Sequence, residues 1–108
     1  MSAPFLVFYS PDPLASRDVD ADVALITGLA EDSPVTVFLL HDGVFAAREG
    51  ARADVVERLH AAGATVHADR LSLATRGVPD DRLRPGVTPL DLDAAVGILG
   101  RGARTFWL

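Results

Sequence analysis

His41-Asp42 sets an imidazole beside a carboxylate, directly after an apolar run and directly before Gly43. These are side chains that acid–base catalysis or a hard metal would use. Asp-Gly is also favoured in turns for backbone reasons alone, and the turn is the plainer reading. His67 and Asp69 lie two positions apart. In an extended segment that puts both on one face, where they would join His41 and Asp42 as a four-ligand cluster serving a small-ligand or metal-binding enzyme. Two histidines and two acids spread over 29 positions lack the fixed local spacing of a zinc motif, so no metal is expected. Ser10, Ser16, Ser33 and Ser72 stand in no G-x-S-x-G elbow, which removes the common serine-hydrolase arrangement. No G-x-G-x-x-G follows a strand, and Pro11 and Pro13 take amide donors out of the Ser10-Pro11-Asp12-Pro13 loop. No dinucleotide or other cofactor is expected.

The residue types that are missing narrow the chemistry further, because the chain has no Cys, Lys, Asn or Gln. Without a thiol there is no disulfide, no cysteine nucleophile, no thiolate metal site and no persulfide carried on this chain. Without Lys there is no Schiff base and no P-loop lysine. All 10 basic residues are Arg against 15 acids, giving a net charge of -5. That balance disfavours a nucleic-acid partner. Arg70, Arg76, Arg82 and Arg84 form the densest basic stretch; it reads as a solvated loop before it reads as an anion site. The apolar residues of positions 1–10 have no basic flank and soon meet Pro11, so the layout is not that of a signal peptide. No apolar run approaches a membrane span, and a cytoplasmic location is the expectation.

What positions these residues is an alternation of strands and helices. With 108 residues, 49% hydrophobic and 23% charged, the composition is that of one folded domain over residues 1–108. Phe5-Leu6-Val7-Phe8-Tyr9 reads as a strand buried on both faces. Val19, Val23, Ile26 and Ala30 recur at helical spacing behind Asp18, Asp20 and Asp22, acids that favour a helix start. Val35-Thr36-Val37-Phe38-Leu39-Leu40 is the second strand, and Ala51, Val55, Leu59 and Ala62 mark a helix stopped by Gly63. Thr65-Val66-His67-Ala68 predicts a shorter, weaker strand. Asp69 to Arg76 predicts about two helical turns, with Asp69 as N-cap and Gly77 as the stop. Thr88-Pro89-Leu90-Asp91 reads as a cap, an N1 proline and an acid at N3, opening a helix buried through Leu92, Val96 and Leu99. Thr105-Phe106-Trp107-Leu108 closes the chain as a strand.

Parallel neighbours need crossovers, and helices fill them best. The expected fold is therefore a three-layer α/β/α sandwich on a mostly parallel sheet of about four to five strands. Ligands of such sheets gather beyond the carboxyl ends of the strands. The candidate ligand-binding residues are accordingly His41, Asp42, Asp69 and Ser72. Arg76, at a helix C-terminus where its charge suits the dipole, and Phe106 and Trp107, either core or surface, are candidate interface residues.

The order of elements and several motifs resemble the DsrE/DsrF/DsrH superfamily of small sulfur-relay proteins, which includes subunits of the TusB, TusC and TusD type. The resemblance covers nearly the whole chain. It rests on Val37-Phe38-Leu39-Leu40-His41-Asp42-Gly43-Val44, on Arg76-Gly77-Val78 after a short helix, on Leu83-Arg84-Pro85-Gly86-Val87 before the last helix, and on the terminal aromatic strand. It implies a homo-oligomer, or a hetero-oligomer with DsrE-family relatives, and in active members the passage of persulfide sulfur between proteins on a cysteine. By the family's spacing Asp69 fills the place of that cysteine, and Ser72 the place of a second one found in some relatives. A cysteine at a helix N-terminus has a lowered pKa and a reactive thiolate. Asp69 offers a carboxylate there, so the resemblance implies a non-catalytic subunit or binding module.

Overall fold

The computed structural model describes residues 3–15, 18–50 and 54–108. Ala51, the first residue of the second helical stripe, and Ser16 lie outside them. The elements run β1 (Phe5–Tyr9), α1 (Val19–Ala30), β2 (Val35–Leu39), a 3-10 segment (His41–Ala47), α2 (Val55–Ala61), β3 (Thr65–Asp69), α3 (Arg70–Thr75), a 3-10 turn (Asp80–Arg82), β4 (Thr88–Leu90), α4 (Leu92–Gly100) and β5 (Arg104–Trp107).

The strands form one sheet of order β4-β3-β2-β1-β5, parallel at every pairing. From β1 to β4 the chain steps across the sheet in one direction; from β4 to β5 it returns to the far edge. Right-handed crossovers then require α4 to lie on the face opposite α1 and α2, and the two cores are divided in that way. Val7, Tyr9, Val37, Leu39 and Val66 pack with Val23 and Ile26 of α1 and with Val55, Val56 and Leu59 of α2. The alternate residues Leu6, Phe8, Phe38 and Leu40 pack with Ala95 of α4. Period-two alternation thus supplies both layers of the sandwich from the same central strands.

Three sequence expectations change. Thr88-Pro89-Leu90 is the edge strand β4, not a cap with an N1 proline; Pro lacks an amide for a central ladder but is tolerated on an edge, and α4 starts one residue after Asp91. The buried side of α4 is Ala95, with Ile98 and Leu99 partly buried, whereas Leu92 and Val96 are 49% and 57% exposed. A small residue at the centre lets the helix approach the aromatic sheet face closely, and the large apolar residues turn outward. β3, expected to be short, is as long as β1 and lies between two partners; its Ala68 and His67 weaken the local signal, but burial between parallel neighbours decides the conformation.

Two glycines are fixed by close approach. A Cβ on Gly43 would lie 2.1 Å from the carbonyl oxygen of Tyr9, so the Asp-Gly pair is a turn packed on the end of β1. Gly86 has φ +85° and faces the ring of His60. Its loop is further tied by Arg84, whose amide donates to the Ala47 carbonyl at 2.8 Å and whose guanidinium pairs with Glu57 on α2. The Leu83-Arg84-Pro85-Gly86-Val87 motif is therefore a clamp that fastens the path to β4 onto the first face.

Candidate functional site

The site grows from the end of β3. Asp69 ends that strand with an extended backbone and turns directly into α3 as its N-cap. Its Oδ2 accepts from the Ser72 amide at 3.0 Å and from the Ser72 hydroxyl at 2.6 Å. This satisfies one of the free amides at the helix start and orients the acid. The Ser72 hydroxyl in turn accepts from the His41 amide at 2.9 Å, tying α3 to the end of β2. That last bond needs an abrupt reversal after Leu40, and His41 makes it with φ +51°, alone among the described non-glycine residues in having a positive φ. Asp69 and Ser72 are the buried polar residues of the core. Each has its partners, as buried polar groups require.

A second link lies outside the first. Arg76, at the end of α3, donates from Nε to Asp42 Oδ1 at 2.9 Å, bracing the 3-10 segment against the helix. Arg76 also donates to the Thr75 hydroxyl at 3.1 Å. Two of the other three arginines of the basic stretch are engaged as well: Arg70 pairs with Asp80 and Asp91, and Arg84 with Glu57. Arg82 is exposed. Charges neutralised in this way make a poor anion cradle.

Beside Asp69 opens a pocket of about 390 Å³, lined by Phe8, Leu40, His41, Asp69, Leu71, Ser72, Thr75, Arg76, Leu92 and Trp107. That volume falls in the range of small-molecule sites. It lies at the carboxyl ends of the strands, as an open α/β sheet predicts. Trp107 stacks on Phe8 with ring centroids 4.8 Å apart, and Phe8 meets Phe38 edge-on at 5.9 Å. Register carries this row across the sheet, Trp107 opposite Phe8, Phe8 opposite Phe38, Phe38 opposite His67 and His67 opposite Thr88.

Of the residues singled out from sequence, His41, Asp69, Ser72, Arg76 and Trp107 meet in this pocket. Asp42 reaches it only through Arg76. Phe106 points to the other face, its ring 5.5 Å from that of Phe5. His67 does not join the acids. It sits in the aromatic row with Nδ1 buried and without a hydrogen bond among the described residues, and burial pushes its pKa down, partly offset by the backbone of Thr88. The four-ligand cluster of the alternative reading is not formed: among the described residues no group of three or more His, Cys, Asp or Glu side chains is placed to hold a metal ion. Sequence reasoning missed the walls, Phe8, Leu40, Leu71 and Leu92. The signal that finds them is the parallel register, which aligns Phe8 with Trp107 from opposite ends of the chain. Ser10 is used structurally, its hydroxyl donating to the Leu108 carbonyl at 2.8 Å.

A family model described as DsrE/DsrF-like matches residues 1–108. The chain belongs to the DsrE/DsrF-like family. Among solved structures it is similar to the YchN protein of E. coli, with TM-score 0.86 and 18% identity over 99% of this chain and 100% of that one. It is also similar to MTH1491, a protein of unknown function from Methanobacterium thermoautotrophicum, with TM-score 0.84, 18% identity and the same coverage. At that identity the likeness is one of fold: a DsrE-like α/β sandwich on a five-stranded parallel sheet. No curated protein matches the chain. This DsrE-family chain contains no cysteine, and none of its described helices is long and apolar enough to cross a membrane.

Proposed function

We propose that this chain is a non-catalytic member of the DsrE/DsrF-like family, a cytoplasmic oligomeric subunit or binding module that does not carry persulfide itself. The observation that carries the reading is the chemistry of position 69. The family resemblance puts the sulfur-carrying cysteine there, and the residue present is an aspartate bonded twice to Ser72. A carrier must attack sulfane sulfur with a thiolate and hold it in an S–S bond. A carboxylate offers no such bond, and the chain has no thiol. What remains at the site is a shaped pocket with His41, Asp69 and Ser72 as ligand contacts and Asp42 as their brace.

Assembly is supported by the free edge of the sheet. All four residues of β5 are exposed, and an unprotected edge strand invites pairing unless something covers it. Phe106 and Trp107 lie on that edge, with Arg76 at the pocket rim, and they are the interface residues of the reading. Partners are further copies of this chain or Cys-bearing relatives.

Light scattering of the chain alone, and after mixing with a Cys-bearing DsrE-family protein from the same cell, is the test. A multiple of 11.4 kDa or a stable mixed complex is expected. Monomer under every condition would overturn the oligomeric part of the reading. Persulfide uptake by the isolated chain, read by mass spectrometry, would overturn the non-catalytic part.

A further inference from the structure

The pocket beside Asp69 has a definite polarity. Its walls are apolar and aromatic, supplied by Phe8, Leu40, Leu71, Leu92 and Trp107. Its buried polar contribution is Asp69, 6% exposed, with Ser72, 4% exposed. The Ser72 hydroxyl donates its proton to Asp69 and accepts from the His41 amide, so toward a ligand it too can only accept. Both bonds received by the Asp69 carboxylate fall on Oδ2, so Oδ1 is left to accept from a ligand, and an ionised carboxylate can only accept. Arg76 also lines the pocket, but its guanidinium is paired with Asp42, so its charge is largely offset. The same pocket is lined by Trp107, 60% exposed, with one ring face on Phe8 and the rest of its π-surface available to a cation. An anion entering here would meet a carboxylate at the floor and an overall charge of -5. A cation with a hydrocarbon body meets an acceptor, a π-face and apolar walls.

We infer that the pocket takes a small organic cation with an apolar body, an aryl- or alkylammonium compound. Its nitrogen donates to Oδ1 of Asp69, and its hydrocarbon part lies between Leu71, Leu92 and Trp107. The inference rests on the reading of Asp69 as a capping acid rather than a place-holder for sulfur chemistry, and it does not depend on the oligomeric state.

Trp107 is the only tryptophan of the chain, so its fluorescence reports on this wall and nothing else. The probes are phenethylammonium, its near-isostere 3-phenylpropanoate, and methylammonium, which has the charge without the body. At neutral pH phenethylammonium is expected to give a saturable change in emission, with 3-phenylpropanoate and methylammonium at least tenfold weaker. Asp69→Asn keeps an oxygen for the Ser72 bonds and removes the charge; it is expected to weaken phenethylammonium at least tenfold and to leave 3-phenylpropanoate no weaker. Should that variant fail to fold by circular dichroism, Leu92→Lys decides. Leu92 is half exposed at the pocket mouth, and a cation placed there is expected to abolish amine binding. Equal affinity for amine and carboxylate, an unaltered amine affinity in the variant that folds, or neither fluorescence change nor heat on titrating the amine would overturn the inference. Light scattering on the same samples reads the assembly separately. Assembled protein that ignores the amine overturns only the ligand, and amine binding by a monomer overturns only the assembly.

Discussion

The two faces of the sheet are built from the same strands and finished differently. On one face α1 and α2, the 3-10 segment and the Arg84 clamp enclose Val7, Tyr9, Val37, Leu39 and Val66. On the other, α4 alone covers Leu6, Phe8, Phe38 and Leu40, leaving Trp107, Leu92 and Val96 exposed and a pocket at the carboxyl edge. This division follows from the topology: three crossovers run one way and the last returns, so α1, α2 and Leu73 of α3 pack on one face and α4 alone on the other. The enclosed face provides stability, and the under-covered face provides surface for ligand and partner. Residues of similar type should therefore differ sharply in what they contribute.

The largest contrast is between two leucines. Leu59 of α2 is fully buried; Leu59→Ala is expected to cost about 3 kcal/mol, the transfer loss plus a cavity. Leu92→Ala on α4 is expected to stay within about 0.5 kcal/mol, as surface substitutions do. Urea unfolding of both variants checks the pair, and equal losses would mean that the second face is covered in solution by something beyond this chain. Next comes Gly43→Ala. The added carbon would strike the Tyr9 carbonyl, a backbone atom that cannot swing aside, and an overpacking cost of about 2–3 kcal/mol is expected. At Gly86 the obstacle is the end of the His60 side chain, so removing the ring in a Gly86→Ala, His60→Ala double variant should recover the steric part of the loss but not the part due to positive φ.

A smaller effect is expected where the faces meet, at the cap of α3. Asp69→Ala removes the acceptor for two Ser72 donors, one a backbone amide, and should cost about 1–2 kcal/mol. Asp69→Asn should recover most of it, since an amide oxygen can also cap. Thermal unfolding of the two variants separates capping from charge, and only the charge matters for the amine pocket. Loss of the cap should also release the His41 segment, because its amide is held by the same hydroxyl.

Much of this was legible in the sequence. The strands Phe5–Tyr9 and Val35–Leu39 announce themselves as apolar, aromatic and β-branched runs. The Asp69 cap and Gly77 stop delimit α3 as expected, with Gly77 at φ +68°. The start of the last helix was not legible, because Thr-Pro-x-Asp fits a cap and an edge strand equally well in isolation. Only pairing with Thr88 and Leu90 across from His67 and Asp69 selects the strand. The outward side of α4 was hidden for a similar reason: Leu92, Val96 and Leu99 have helical spacing, but Ala95 is the residue that fits against Phe8 and Phe38. His67 and Asp69 share a strand face as predicted, yet Asp69 is drawn to Ser72 and His67 into the aromatic row. Neither local spacing nor composition carries that information, which belongs to register.

His67 gives the smallest expected effect and tests the second face through pH. Its ring lies beside Phe38 and Thr88 in the sheet row, Nδ1 is buried without a partner among the described residues, and burial lowers its pKa below the ordinary histidine value. The folded protein therefore prefers the neutral ring. As pH falls below about 6.5 the unfolded chain takes up this proton first, so the unfolded state binds more protons and stability declines. The decline ends once pH passes below the folded-state pKa. His67→Gln is expected to flatten the part of the stability profile between about pH 5 and 7 while leaving the neutral-pH value nearly unchanged. Urea midpoints across that range decide it. A profile unchanged by the substitution would mean that water already reaches Nδ1 and that the α4 face is wetter than its aromatic row suggests; a profile that flattens would show that even the partly covered face is dry at its centre and opens only at the pocket and the β5 edge.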